Sequence, residues 1–127
     1  MHKQWRYSAA ALSAFAGFIH VLAAPDHFEE WWGYGMFFLT AAAAQVLYAL
    51  LLLAYEPNRD LLWAGVVGNL AILGLYVVTR TVGIPFFGPE AGQVEAVGAL
   101  DAISKITELA LIACLVVLLR ARPRTAA

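Results

Sequence analysis

Residues 97–119 read VGALDAISKITELALIACLVVLL. The run is long enough to cross a bilayer as an α-helix, which takes roughly 20 residues. Yet it carries Asp101, Lys105 and Glu108. At 100° per residue these three fall within about 60° of one another, so they form a single stripe. Everything else on the helix is Leu, Val, Ala and Ile or similarly uncharged. A charge at the centre of a membrane helix costs about 2.5–3.5 kcal/mol on insertion scales, and such residues normally face a bundle interior. The segment therefore predicts a membrane helix that hides one charged face against neighbours.

Working outward, three more apolar runs precede it. The spans are expected at Trp5–Ala24, Trp31–Tyr55, Leu61–Thr79 and Val97–Leu119. The breaks carry turn chemistry: Pro25-Asp26 is expected to end the first span, and Glu56-Pro57-Asn58-Arg59-Asp60 is a polar turn after the second. A Gly- and Pro-rich stretch from Gly83 to Gly92 links the third and fourth. The fold class is all-α, an integral membrane four-helix bundle forming one domain over residues 1–127.

Each of the other spans repeats the one-stripe pattern. Arg6, Ser13 and His20 recur at seven in the first, with Gly17 on the same face. Tyr34, Ala41, Tyr48 and Tyr55 do so in the second, flanking Gln45. Asn69, Tyr76 and Arg80 share a face with Gly65 in the third. By depth, Ser13, Gln45, Asn69 and Glu108 fall near the midplane. His20, Arg80, Asp101 and Lys105 lie toward the end remote from the termini. Arg80 and Lys105 can balance Asp101 and Glu108, and the Asp101–Lys105 spacing of four permits a pair within the helix. Glu108 either pairs with Lys105 or stays protonated beside Asn69. Ser13-xxx-Gly17, Ala10-xxx-Ala14 and Ala64-xxx-Gly68 fit close helix approach.

Composition agrees. The chain is 62% hydrophobic and 13% charged, about half the charge a soluble domain carries. A net charge of −1 gives no basis for nucleic-acid binding. Cys114 is the only cysteine, which excludes an intramolecular disulfide.

Lys3, Arg6, Arg59, Arg120, Arg122 and Arg124 fall on one side of a four-span protein. The other side collects Asp26, Glu29, Glu30, Glu90 and Glu95. The positive-inside rule then makes both termini cytoplasmic. Trp5 and Trp63 land at the inner interface and Trp31 and Trp32 at the outer one, as aromatic belts do. The first span also has the layout of a signal peptide ending at Val21-Leu22-Ala23. Cleavage there would leave three spans, and the polar stripe of the first span argues against it.

Candidate chemistry lies at the outer end. His20, His27, Glu30 and Asp101 are nitrogen and oxygen donors of the kind that hold a transition metal. His27 and Glu30 are one helical turn apart. The bland alternative makes His20 a hydrogen-bonded interior residue, and His27, Glu29 and Glu30 interfacial residues beside a helix start. There is no HExxH, CxxC or CxxCH. Haem ligation by His20 and His27 is not expected, because they sit on one hairpin across a proline. Phe86 and Phe87, between Pro85 and Pro89, read as an interfacial anchor or a lid. No nucleophile–base pair or phosphate loop is present, so enzyme chemistry ranks last.

The stretch from His20 through Pro25-Asp26-His27-Phe28-Glu29-Glu30-Trp31-Trp32-Gly33-Tyr34-Gly35 to Phe38, then Gln45, resembles small four-span membrane proteins of bacteria. So do Thr79-Arg80-Thr81-Val82-Gly83-Ile84-Pro85 and the Glu95–Asp101 segment with Glu108. The resemblance covers most of the chain. It implies the four-span topology and a bacterial inner membrane, and carries no reaction.

Two functional expectations follow. In the first, the protein binds or passes a metal ion, a small cation or protons at an outward-facing site. His20, Arg80, Asp101 and Lys105 would be its walls, and Gln45, Asn69 and Glu108 its floor. In the second, the polar stripes serve packing alone, and the protein is an accessory or assembly subunit of a larger membrane complex. Its partners are then the lipid bilayer and another membrane protein or a second copy of itself.

Overall fold

A computed structural model describes residues 2–81, 83, 86, 88, 89, 92 and 98–121, with the Arg80 side chain outside the described set. Four helices occupy it: α1 (His2–Glu30), α2 (Trp32–Ala54), α3 (Arg59–Thr81) and α4 (Ala99–Ala121). Each is long and apolar enough to cross a membrane. The chain is a helical membrane protein with four candidate spans, as the apolar runs predict.

The first boundary departs from expectation. Pro25 does not end α1, which runs on to Glu30. Proline removes one intrahelical hydrogen bond and crowds the preceding turn, yet membrane helices absorb such a residue because their neighbours re-satisfy the backbone. Beyond Pro25 the helical pattern persists, and Trp31 N–H still donates to His27 O at 3.0 Å. The chain reverses at Trp31 alone, whose φ of −172° and ψ of 141° are extended. Trp31 O then accepts from the N–H groups of Tyr34 and Gly35, opening α2. So short a reversal needs glycine. A Cβ on Gly35 would run into the Phe28 ring, and one on Gly33 into the Trp31 indole.

The α2–α3 turn is stabilised by polar capping. Asn58 Oδ1 accepts from Leu61 N–H at 2.8 Å, the N-cap bond of α3. Arg6 donates to Leu52 O and Leu53 O and pairs with Glu56 at 3.1 Å, so it caps the carbonyls of α2. Arg59 donates to Leu119 O at 3.1 Å at the end of α4. Cations at helix C-termini satisfy orphan carbonyls and complement the dipole.

α1 packs along α2 and against α4, and α3 packs against α4. Ser13 and Gly17 form the α1 seam against α2, where a Gly17 Cβ would lie 3.0 Å from Ala42 O. The other two small-residue motifs form no such seam. Ala14 and Ala64 are exposed, and a Cβ on Gly68 would meet nothing. We use "base" for the bundle end with His2, Ala121 and the α2–α3 turn, and "rim" for the opposite end. The base half holds the dry core, centred on Leu52, Leu62, Leu111, Leu115 and Leu118. Cys114 is buried there as an ordinary core residue. Large apolar side chains such as Phe18, Leu47, Val67 and Ile106 point outward on all four helices, which suits lipid and not water.

α2 and α3 are joined near the base and are not packed along their length. Tyr48 donates to Leu61 O at 2.8 Å. Gly65 makes room for that phenol, since a Cβ there would strike Tyr48 and press on Leu115. Gly65→Leu is therefore expected to destabilise the bundle by about 1–3 kcal/mol through overpacking. Gly68→Leu, one turn away on an open face, should cost nothing measurable. Unfolding titrations in mixed micelles distinguish the two, and equal effects would contradict this packing.

Candidate functional site

The polar stripes converge at mid-height. Glu108 is completely buried on α4. Lys105 Nζ donates to its Oε1 at 2.6 Å, and Gln45 Nε2 of α2 donates to its Oε2 at 2.6 Å. Ser13 of α1 donates to Gln45 O at 2.7 Å. Three helices are thus keyed together at one level, by the residues that depth counting places there. Of the two expectations for Glu108, pairing with Lys105 is the one that forms. Asn69 is buried as expected but bonds within its own helix, donating to Gly65 O at 2.8 Å.

Above this layer, on the rim side, lies a partly enclosed cavity of about 350 Å³. It sits where α2 and α3 diverge and is backed by α1 and α4. Its walls are mainly aromatic and aliphatic, with Phe38, Tyr34 and Tyr76 among them. Its polar groups come from all four helices: His20 and His27 on α1, the Tyr34 phenol on α2, the Tyr76 phenol and Thr79 on α3, and Asp101, Ser104 and Lys105 on α4. Lys105 is only 12% exposed, and its ammonium lies 5.5 Å from the centre of the Tyr76 ring, a cation–π distance.

The histidines are positioned by their own helix. His20 Nδ1 is 2.8 Å from Ala16 O, and His27 Nδ1 is 2.9 Å from Ala23 O. A helical residue's side chain reaches back toward the carbonyl four residues earlier, so the spacing of seven repeats the same contact. Phe38 joins the two, stacked on His27 at 3.8 Å and tilted against His20 at 5.5 Å. His20, His27 and Asp101 all line the cavity, whereas Glu30 does not. Among the described residues no group of three or more His, Cys, Asp or Glu side chains could hold a metal ion. The donor quartet expected from the sequence is therefore not brought together as a coordination set. Each ring keeps one nitrogen on its own helix, and Phe38 packs against both.

Of the remaining expectations, Arg80 belongs to α3, with its side chain outside the described residues. Glu90, Glu95 and Phe87 also lie outside them. Phe86 lines the cavity while remaining largely exposed.

Sequence reasoning missed two residues that matter here. Phe38 reads as one more lipid-facing aromatic until α1 is placed beside it. Ser104 lies between Asp101 and Lys105 and is 3% exposed, and its hydroxyl has no hydrogen-bond partner. Serine or threonine in a helix commonly returns its hydroxyl to the carbonyl four residues back. Thr107 does so onto Ile103 O at 2.8 Å. Ser104 belongs to the cavity wall, but its hydroxyl oxygen is buried without a partner. The sequence signal was available, since Ser104 falls on the charged face of α4.

Comparison with known proteins gives no match, whether to a family model, a curated protein or a solved structure. The reading of the site rests on its geometry.

The central pair makes a direct prediction. Removing one partner leaves a buried, uncompensated charge, which costs about 3–5 kcal/mol, whereas replacing both with apolar groups is often neutral. Lys105→Met and Glu108→Met should each destabilise the bundle strongly, and the double variant much less than either sum. Unfolding midpoints of the three variants check this, and additive losses would contradict the pairing.

Proposed function

We propose that the protein is a membrane-embedded binding protein that holds a small, largely apolar molecule in its rim cavity. The carrying observation is the cavity itself: about 350 Å³, walled by aromatic and aliphatic side chains, with its ionisable groups His20, His27, Asp101 and Lys105 on α1 and α4. An apolar pocket with a few convergent polar groups is the form that small-molecule sites take.

The arrangement supports holding over passage. Toward the base, below Glu108, the bundle is filled by Leu52, Leu62, Leu111, Leu115 and Leu118. Ions or protons moving through would have to cross this packed apolar layer. Metal binding has less support, because among the described residues no group of three or more donor side chains is brought together.

The membrane is read as a bacterial inner membrane with the rim outward and both termini cytoplasmic. Lys3, Arg6, Arg59 and Arg120 lie at the base, and Asp26, Glu29 and Glu30 at the rim, which is the distribution the positive-inside rule describes.

Two measurements test this. Native mass spectrometry of protein extracted from its own membranes should release one small molecule of discrete mass. Ser104→Trp, which fills the cavity, should lose that molecule while keeping the wild-type melting temperature. No retained molecule, or equal retention by the filled variant, would overturn the binding reading. In a Cys114→Ser background, a membrane-impermeant maleimide applied from outside should label Glu29→Cys and not Lys3→Cys. The reverse pattern would overturn the orientation.

A further inference from the structure

We propose that the molecule held in the rim cavity is an aromatic alcohol of the phenol type, whose hydroxyl donates a hydrogen bond to Nε2 of His20. This rests on the binding reading above and assigns the chemistry of its ligand.

The histidines set the direction of that bond. His20 Nδ1 lies 2.8 Å from Ala16 O, and His27 Nδ1 lies 2.9 Å from Ala23 O. A carbonyl oxygen only accepts, so Nδ1 carries the hydrogen in both rings. In a neutral imidazole the other nitrogen is then a bare acceptor. Both histidines line the cavity. Neither Nε2 has a hydrogen-bond partner, and neither is sealed away. Among the described residues, the sealed side-chain atoms without a partner are Gln45 Oε1, Asn69 Oδ1 and Ser104 Oγ. His20 is itself buried in the bundle, so the surface it retains is toward the cavity. Gln45 is its neighbour on α2, but the amide nitrogen of Gln45 donates to Glu108 and the amide oxygen is an acceptor too. Two acceptors do not satisfy one another.

Depth selects between the two rings. They are seven residues apart, about 10 Å along the helix axis, so a single hydroxyl meets one of them. His27 is half-buried and His20 is buried. An acceptor left unmet costs more where water is excluded, so a donor gains most at His20.

The rest of the wall selects the ligand's body and its kind of donor. Phe38 stacks on His27 within 21° and tilts against His20 at 5.5 Å, and Phe37 meets Phe38 edge to face. Such surfaces prefer a ring in offset-stacked or edge-on contact. About 350 Å³ is at the small end of ligand pockets, which run from about 300 to 1,000 Å³, so one ring system fits. Lys105 commits one of its three N–H groups to Glu108 and lines the same cavity. A hydroxyl can give its hydrogen to the imidazole and still accept from an ammonium, whereas an indole N–H only gives. Tyr34, Tyr76, Thr79 and Asp101 also line the wall, and each already interacts within the protein.

The test is calorimetric titration of the full chain in nanodiscs near neutral pH, corrected against empty nanodiscs. The probes are 2-naphthol, its methyl ether, 1,4-naphthoquinone and naphthalene. The ether and the quinone have acceptors alone, and naphthalene has neither group. 2-Naphthol should saturate at one per chain, and each of the others should bind at least about fivefold more weakly, the worth of one neutral hydrogen bond. His20→Phe should lower 2-naphthol to the affinity of naphthalene and leave naphthalene unchanged, and His27→Phe should do much less. Nitrogen NMR of wild-type protein carrying isotope-labelled histidine gives a readout that needs no variant. The cavity rings should show a protonated Nδ1 and a bare Nε2, and one Nε2 resonance should move upfield with 2-naphthol and stay put with naphthalene. The ether, the quinone or naphthalene binding as tightly as 2-naphthol, rings protonated at Nε2 instead, or an unmoved Nε2 resonance would overturn the donor assignment and leave the cavity reading standing. Loss with His27→Phe and none with His20→Phe would overturn the choice of ring. Failure of all four probes would overturn the ligand class, and with no retained molecule in native mass spectra the binding reading would fall as well.

Discussion

Glu108 has no exposed surface, and both of its oxygens are taken, one by Lys105 and one by Gln45. A carboxylate inside a bilayer is tolerable only when paired and hydrogen-bonded. That requirement fixes the rest of the bundle. α4 must present Lys105 one turn from Glu108, and α2 must bring Gln45 to the same level. Ser13 on Gln45 O draws α1 into the same layer. A rotation of any of these three helices would strand a buried polar group, so the network specifies register as well as contributing energy. Its net contribution to stability is smaller than its geometry suggests, because desolvation offsets much of the attraction. Its larger role is to exclude other arrangements.

α3 is outside this layer, and the cavity follows from that. It packs on α4 and meets α2 near the base, through Tyr48 and Leu61. Asn69, its mid-height polar residue, bonds to its own helix. Among the described residues α2 and α3 are not packed along their length, and at the rim end the two helices line a cleft. Tight leucine packing closes the base half and aromatic side chains wall the rim half. One molecule thus combines a sealed half with an open one, separated by a charged layer.

The sequence carried the architecture because hydropathy and helical period are properties of single residues. Four apolar runs with one polar face each leave little choice of fold. The midplane layer of Ser13, Gln45 and Glu108 was legible for the same reason, since depth along a helix is a simple count. Pro25 was misread because its local cost is real, and only the tertiary setting shows that α1 tolerates it. The metal quartet comes together only in part, because spacing shows that residues share a face and says nothing of which faces meet: His20, His27 and Asp101 line the cavity and Glu30 does not. The cavity was legible in part, since His20, Asp101 and Lys105, expected as walls of an outer site, do line it. Phe38 and the size of the cleft were not, because they depend on how far two helices diverge, which no periodicity encodes.

The ionic state of the central layer is the claim on which the fold and the site both rest. Isotope-edited infrared spectroscopy of the protein in membranes reads it directly, with the band of Glu108 identified by its loss in Glu108→Gln. The structure predicts a carboxylate stretch, because Lys105 and Gln45 donate to both oxygens. A protonated carboxyl band at neutral pH would contradict the ion pair and the keyed layer built upon it.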